Sequence, residues 1–356
     1  MTRFAKLQAA LGEQGLDAML LLSPVNRRYA TGFPSSDGAV VLTEKEAFFF
    51  TDSRYIEAAR QQVPGATIGE ITGKMRRSDW LRQVLADCAG KRLGFEEEWL
   101  SYGAYLRLQE DLPGTELVPA QSIPSRLRAV KDKEELAAMA AAQAIAEAAL
   151  ERVLLLIRPG VRERDIAAEL TYQMLLLGGE GNSFDPIVVA GRKSSMPHGV
   201  PGDETVSAGD FVTMDFGCLK DGYCSDMTRT VAVGSATAEM RRVYDTVLRA
   251  QEAGIAAVKA GVPGAAVHAA GADVIEKAGY GAYFGHAFGH SLGLEIHESP
   301  NFSPSEKRAI PAGAVVSAEP GIYLPGRFGV RIEDVVCVTE QGCVNLTSAP
   351  KELLVL

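Results

Sequence analysis

Four acidic side chains sit in segments whose neighbours are apolar. Phe211-Val212-Thr213-Met214-Asp215-Phe216-Gly217 reads as a buried strand with an acid near its end, and Asp226, Glu319 and Glu333 pose the same problem in their own segments. Such an acid must be paired, exposed or bound to a metal. Four inward carboxylates without countercharge push one another's pKa values up, whereas divalent cations keep them ionised. One nitrogen donor is at hand in Gly285-His286-Ala287-Phe288-Gly289-His290-Ser291-Leu292-Gly293, where glycines permit close backbone approach; His290 is the chosen ligand. Oxygen donors with one imidazole suit manganese, cobalt, iron or zinc better than copper. Two such ions about 3.5–4 Å apart would lower the pKa of a shared water and polarise a carbonyl, which is hydrolytic chemistry.

The elements that must position these groups repeat. Ala208–Gly217 aligns with Ala312–Gly321 at an offset of 104, which lays Asp215 on Glu319, and Ser225–Thr228 aligns with Ile332–Val335 at 107, which lays Asp226 on Glu333. Looser matches pair Met196-Pro197-His198 with Glu295-Ile296-His297 and Pro159-Gly160-Val161 with Ala260-Gly261-Val262. Two like halves, each with an acid on each of two adjacent strands, would gather four carboxylates at a pseudo-two-fold axis.

A chain of 356 residues with 47% hydrophobic and 23% charged residues is globular and long enough for two domains. The first third alternates short elements: a helix over 2–15, strands at 18–22, 39–42, 47–50, 91–96 and 116–120, a helix from Arg54, and a helix capped by Ser101. Val118–Pro124, with two prolines, reads as a linker, so the expected domains are an α/β unit at 1–125 and an α+β unit at 126–356. An Ala- and Leu-rich helix over 133–157 stops at Pro159-Gly160. The net charge of −9 and the lack of a basic run argue against nucleic acid. The start of the chain has neither a signal peptide's apolar region nor a membrane span, so a cytoplasmic protein without a membrane partner is expected. Five cysteines (Cys88, Cys218, Cys224, Cys337, Cys343) with no CxxC pair make disulfides and a cysteine zinc site poor expectations.

Longer strings carry a family likeness. Asp215-Phe216-Gly217, Tyr223-Cys224-Ser225-Asp226-Met227-Thr228-Arg229, His286 to Glu298, Glu319-Pro320-Gly321-Ile322-Tyr323 and Val330-Arg331-Ile332-Glu333-Asp334 resemble the five motifs of the pita-bread metallopeptidases. Within that family the chain resembles the Xaa-Pro peptidases, aminopeptidase P and prolidase. Asn26 to Phe33 and Phe50 to Tyr55 resemble their creatinase-like N-terminal domain, so the likeness spans nearly the whole chain. The resemblance implies a pita-bread catalytic domain with two divalent metal ions, manganese first and cobalt, zinc or iron as alternatives. It implies that Asp215 chelates one ion, that His290 and Glu319 hold the other, and that Asp226 and Glu333 bridge. Glu319 doubles as proton shuttle, while His198 and His297 bind the substrate carbonyl and stabilise the tetrahedral intermediate. His286, Tyr323 and Arg331 are expected to contact substrate, Asp185 recurs in the family, and His268 is read as a packing residue. Expected substrates are proline-containing peptides or dipeptides, hydrolysed at the Xaa-Pro bond by a homodimer.

The competing readings are weaker. Gly69 to Met75 has the wrong glycine spacing for a phosphate loop and no Ser or Thr after Lys74. Cys224 and Ser225 lie outside any nucleophile-elbow context. The runner-up is a differently specific creatinase-like hydrolase or a non-catalytic binding module on the same fold, which five intact ligand positions disfavour.

Overall fold

The computed structural model describes residues 1–88 and 90–356, and its contacts divide the chain into two units, Met1–Arg128 and Ala129–Leu356. The first begins with α1 (Arg3–Glu13), opened by the Thr2 hydroxyl accepting from the Ala5 amide at 3.2 Å. Next come β1 (Ala18–Leu21) and α2 (Pro24–Thr31); Ser23 caps α2, and Pro24 opens it with its φ already helical. The hairpin β2 (Ala39–Thr43) and β3 (Ala47–Thr51) precedes α3 (Ile56–Gln62), β4 (Thr67–Glu70), α4 (Arg77–Ala86), β5 (Arg92–Phe95), α5 (Tyr102–Asp111), β6 (Glu116–Pro119) and α6 (Ser122–Ala129). The six strands form one sheet in the order β4-β3-β2-β1-β5-β6. It is antiparallel across β1, β2 and β3, and parallel elsewhere.

The linker expectation fails. Val118 and Pro119 finish the edge strand β6, and the next residues turn into α6 with Ala120 and Ile123 only 1% and 0% exposed. Both prolines are tolerated where they fall, one at the end of an edge strand and the other in a helix's first turn, where no amide partner is needed.

The second unit is built twice. Its first half holds α7 (Lys133–Leu154), α8 (Glu163–Leu176), β7 (Gly181–Asn182), β8 (Ile187–Ala190), β9 (Phe211–Phe216), β10 (Cys218–Lys220), β11 (Tyr223–Cys224) and β12 (Met227–Ala232). Its second half holds α9 (Ala238–Ala257), α10 (Gly264–Lys277), β13 (Gly289–Ser291), β14 (Glu298–Phe302), β15 (Val315–Ala318), β16 (Gly321–Leu324), β17 (Phe328–Arg331), β18 (Asp334–Val338) and β19 (Cys343–Asn345). Asp132 caps α7 reciprocally with Glu135, and the helix ends at Leu154 rather than 157.

In each half a helix pair is followed by a strand, a small hairpin and an antiparallel return strand: β9 with β12, and β15 with β18. The halves meet where the Glu333 amide donates to the Thr228 carbonyl at 3.1 Å. The repeat in the sequence is therefore a repeat in the fold. Phe288, fully buried, sits where side chains on Gly254 of α9 and Gly271 of α10 would collide with its ring, at 2.0 and 2.2 Å. Only glycines let the two helices close over this residue, which leads into β13 and His290.

Candidate metal centre

Each half delivers two acids to the seam. Asp215 is the penultimate residue of β9 and Asp226 directly precedes β12; Glu319 directly follows β15 and Glu333 directly precedes β18. A side chain on Gly217 would meet the Ser225 carbonyl oxygen at 2.0 Å, so glycine allows the backbones beside Asp215 and Asp226 to approach. His290, central in β13, faces the acids: its Nε2 lies 3.5 Å from Asp226 Oδ2 and 3.4 Å from Glu319 Oε1. Its Nδ1 lies 3.2 Å from the Ser291 carbonyl, which can only accept. Nδ1 therefore carries the proton, and the Nε2 lone pair is presented to the cluster.

Electrostatics make this arrangement costly for the bare protein. Burial, reinforced by Glu333, Asp215 and Glu319, raises the Asp226 carboxyl well above its ordinary range. Burial and the charges of Glu319 and Asp215 do the same to Glu333, and burial first of all lifts Glu319 to about 7. Hydroxyls satisfy part of the set: Thr228 donates to Glu333 Oε2 at 2.7 Å and Ser317 to Glu319 Oε1 at 3.1 Å. Asp215 Oδ1, Asp226 Oδ1 and Glu333 Oε1 are buried without any hydrogen-bond partner. Donor atoms of Asp226, His290 and Glu333 lie within 4.8 Å of one another. Orphaned carboxylate oxygens beside one imidazole lone pair fit divalent cations, which would satisfy the oxygens and cancel the repulsion.

Arg331, buried at the end of β17, ties the acids to their surroundings. Its Nη2 donates to Asp215 Oδ2 at 2.5 Å, its Nε to Thr228 Oγ1 at 3.1 Å and its Nη1 to the Tyr323 hydroxyl at 2.9 Å. The Tyr323 hydroxyl in turn donates to His286 Nε2 at 3.0 Å, because His286 Nδ1 gives its proton to the Ala287 carbonyl at 2.8 Å. Burial lowers His286 to about 4, so it is a neutral acceptor at physiological pH. Tyr323 and Arg331, expected to meet substrate, thus spend these donors on the protein, although both still border the cavity.

That cavity, of about 570 Å³, gathers all the residues singled out for chemistry: His198, Asp215, Asp226, His286, His290, His297, Glu319, Tyr323, Arg331 and Glu333. His297 directly precedes β14, with its ring edge-on to His290 at 4.4 Å between centroids. Asp185 lines the cavity as an exposed residue, whereas His268 stays on α10, stacked on Phe284 at 5.6 Å. Cys218 and Cys224 are buried, and burial pushes the Cys218 thiol up to about 11, which removes it as a nucleophile near neutrality.

Sequence reasoning gave no role to Thr228 and Ser317. The signal was present: each lies two residues from an acid, Asp226 or Glu319, the spacing that shares a strand face. The apolar part of the cavity, with Phe184, Pro186, Ile187, Val200, Pro201 and Ile296, was also missed. Those residues come from three separate stretches of the chain, at 184–187, 200–201 and 296, and share no spacing that would mark them as one surface.

Two like α+β halves that meet over a buried cluster of acids and one imidazole define the pita-bread architecture. Residues 137–340 match the model of metallopeptidase family M24, and residues 3–130 match that of the creatinase/prolidase N-terminal domain. The chain belongs to metallopeptidase family M24, whose members imply divalent metal ions. It is 42% identical to the uncharacterized peptidase YqhT of Bacillus subtilis, over 99% of this chain and 100% of that one. Among solved structures, the Xaa-Pro dipeptidase from Bacillus anthracis matches with a TM-score of 0.95 and 40% identity over 99% of each chain. The X-Pro aminopeptidase from Thermotoga maritima matches with a TM-score of 0.91 and 35% identity, over 96% of this chain and 98% of that one. Among the described residues no helix is long and apolar enough to cross a membrane.

Proposed function

We propose that this chain hydrolyses Xaa-Pro peptide bonds with two divalent metal ions. The observation that carries the reading is the set of three orphaned buried carboxylate oxygens beside the His290 lone pair, in a cavity that also holds His198 and His297. Asp215, Asp226, His290, Glu319 and Glu333 would hold the ions, which supply Lewis-acid polarisation and a water activated near neutral pH. Thr228 and Ser317 keep Glu333 and Glu319 aimed at them. Glu319 carries the proton from the attacking water to the leaving nitrogen. His198 and His297 hold the scissile carbonyl oxygen and stabilise the charge that develops there, and burial lowers the pKa of His297 from its ordinary value. The apolar wall of Phe184, Pro186, Ile187, Val200, Pro201 and Ile296 suits a pyrrolidine ring, and the dipeptidase and aminopeptidase relatives supply the reason to expect proline.

The choice between those two activities turns on proline's carboxylate, free in a dipeptide and an amide in a longer substrate. Arg331 is the one permanent cation among the described residues lining the cavity, and it is bonded to Asp215, Thr228 and Tyr323. This supports peptides that continue past proline. Manganese as the loading metal and a homodimer belong to the same reading, as does a cytoplasmic setting, which suits five free thiols.

The test is kcat/KM for Ala-Pro and Ala-Pro-Ala side by side, with manganese-loaded and chelated protein. The expected result is metal-dependent cleavage with Ala-Pro-Ala preferred by about tenfold, the worth of one unmade charged hydrogen bond. A preference for Ala-Pro would make the enzyme a prolidase. Cleavage of neither by metal-loaded protein overturns the proline assignment.

A further inference from the structure

Glu163 lies outside the cavity lining and belongs to no motif. It is the first residue of α8 and its side chain is fully buried, yet both carboxylate oxygens are used. Oε1 accepts from the Ala190 amide at 2.8 Å; Oε2 accepts from the Gly202 amide at 3.0 Å and from Lys193 Nζ at 2.7 Å. Ala190 ends β8, and Gly202 lies twelve residues later. One carboxylate therefore closes both ends of a single loop and, through Lys193, also holds its first turn.

That loop contributes Pro197, His198, Gly199, Val200 and Pro201 to the cavity. Among the described residues His198 has no side-chain hydrogen bond of its own, in contrast to His286 and His290. Its ring is thus aimed by the loop's backbone. Further along, the Ser194 hydroxyl donates to the Gly191 carbonyl at 2.6 Å and accepts from the Gly329 amide of β17 at 2.9 Å. The loop is fixed to β17 in its middle and to Glu163 at its ends. Extra bonds brace the closure: the amides of Glu163 and Arg164 donate to the carbonyls of Glu204 and Gly202 at 3.0 and 3.1 Å.

We infer that Glu163 is a positioning residue for the hydrolytic reaction, clamping the 190–202 loop so that His198 meets the substrate carbonyl. The inference rests on the role proposed for His198. A neutral amide at this position keeps one acceptor but cannot serve two backbone amides and an ammonium together, and a group misplaced by about 1 Å at a reacting centre costs on the order of 100-fold.

The test is Glu163→Gln, measured with and without His198→Ala. The expected result is a 10- to 100-fold fall in kcat with KM and metal content nearly unchanged, and little further loss when the substitution is added to His198→Ala. Equal losses in both backgrounds, or an unchanged kcat in folded protein, overturns the assignment. Amide hydrogen exchange separates this proposal from the proline reading, because it needs no substrate. Exchange across 190–202 should quicken at least tenfold in Glu163→Gln while α8 keeps its protection; unchanged loop exchange refutes the clamp even if the enzyme cleaves another bond. Should Glu163→Gln fail to fold, Lys193→Met, at a partly exposed side chain, must give the same kinetic and exchange pattern at smaller amplitude.

Discussion

Glu96 in the N-terminal unit and Asp226 in the catalytic unit are equally hidden, 2% and 3% exposed, but they are built for opposite ends. Glu96 lies at the N-terminus of α2, where it accepts from the amides of Leu22 and Ser23, from the Ser23 hydroxyl at 2.5 Å and from Asn26 Nδ2 at 2.6 Å. Both oxygens are filled, and the helix dipole favours the charge. Asp226 keeps one oxygen without a partner and faces Glu333, Asp215 and Glu319. A buried acid with every lone pair engaged holds a fold together; a buried acid with a lone pair to spare, among others like it, is suited to bind a cation. Glu163 follows the pattern of Glu96, although its service is to the loop of His198.

The strongest contrast with Glu96 is expected at the proposed metal ligands. Asp226→Ala and His290→Ala should each lose bound metal and activity together, with kcat/KM down more than roughly 10³-fold. Elemental analysis beside kinetics checks it. Full metal content in an inactive Asp226→Ala protein would mean that this carboxylate serves the substrate instead.

The two kinds of acid were not equally legible in the sequence. Asp215, Asp226, Glu319 and Glu333 stand out because strands reject charge and because the repeat lays them in register, and most strands of the first unit follow from alternation and turn residues. Glu96 and Glu163 give no such signal, since their partners are backbone amides brought close only by folding. Thr228 could be seen beside Asp226 but not its bond to Glu333, 105 residues away, which needs the register between the halves. The linker expectation fails for a related reason: the two prolines carry no sign that Ala120 and Ile123 are buried by folding.

In metal-free protein the two kinds of acid should act on stability in opposite directions. Glu96→Gln should lower the unfolding temperature, because it removes a charge accepting four donors; the expected cost is about 2 kcal/mol, a shift of several degrees. Asp226→Asn should raise it, because it deletes a desolvated charge from a repelling set. Thermal unfolding of both variants beside the wild type decides the matter. Shifts of the same sign would place Asp226 among the structural acids.

The pH dependence of stability should separate the two kinds of acid more weakly. Glu319 is raised to about 7 from an ordinary value of 4.5, and Asp226 and Glu333 are raised in the same direction, burial being the first cause in each. Between those limits the folded metal-free chain holds more protons than the unfolded one, so its stability must fall as pH rises. The favourable contribution is complete below about 4.5 and gone once Glu319 has ionised in the fold above about 7. Metal should reverse the slope, because cations would bind the ionised carboxylates and higher pH leaves fewer protons to displace. Unfolding temperatures measured from pH 5 to pH 7.5 should therefore decline without metal and hold or climb with manganese. Glu319→Gln should flatten part of the metal-free decline. Parallel curves with and without metal would show that these carboxylates are already neutralised within the protein and that the cluster does not need a cation.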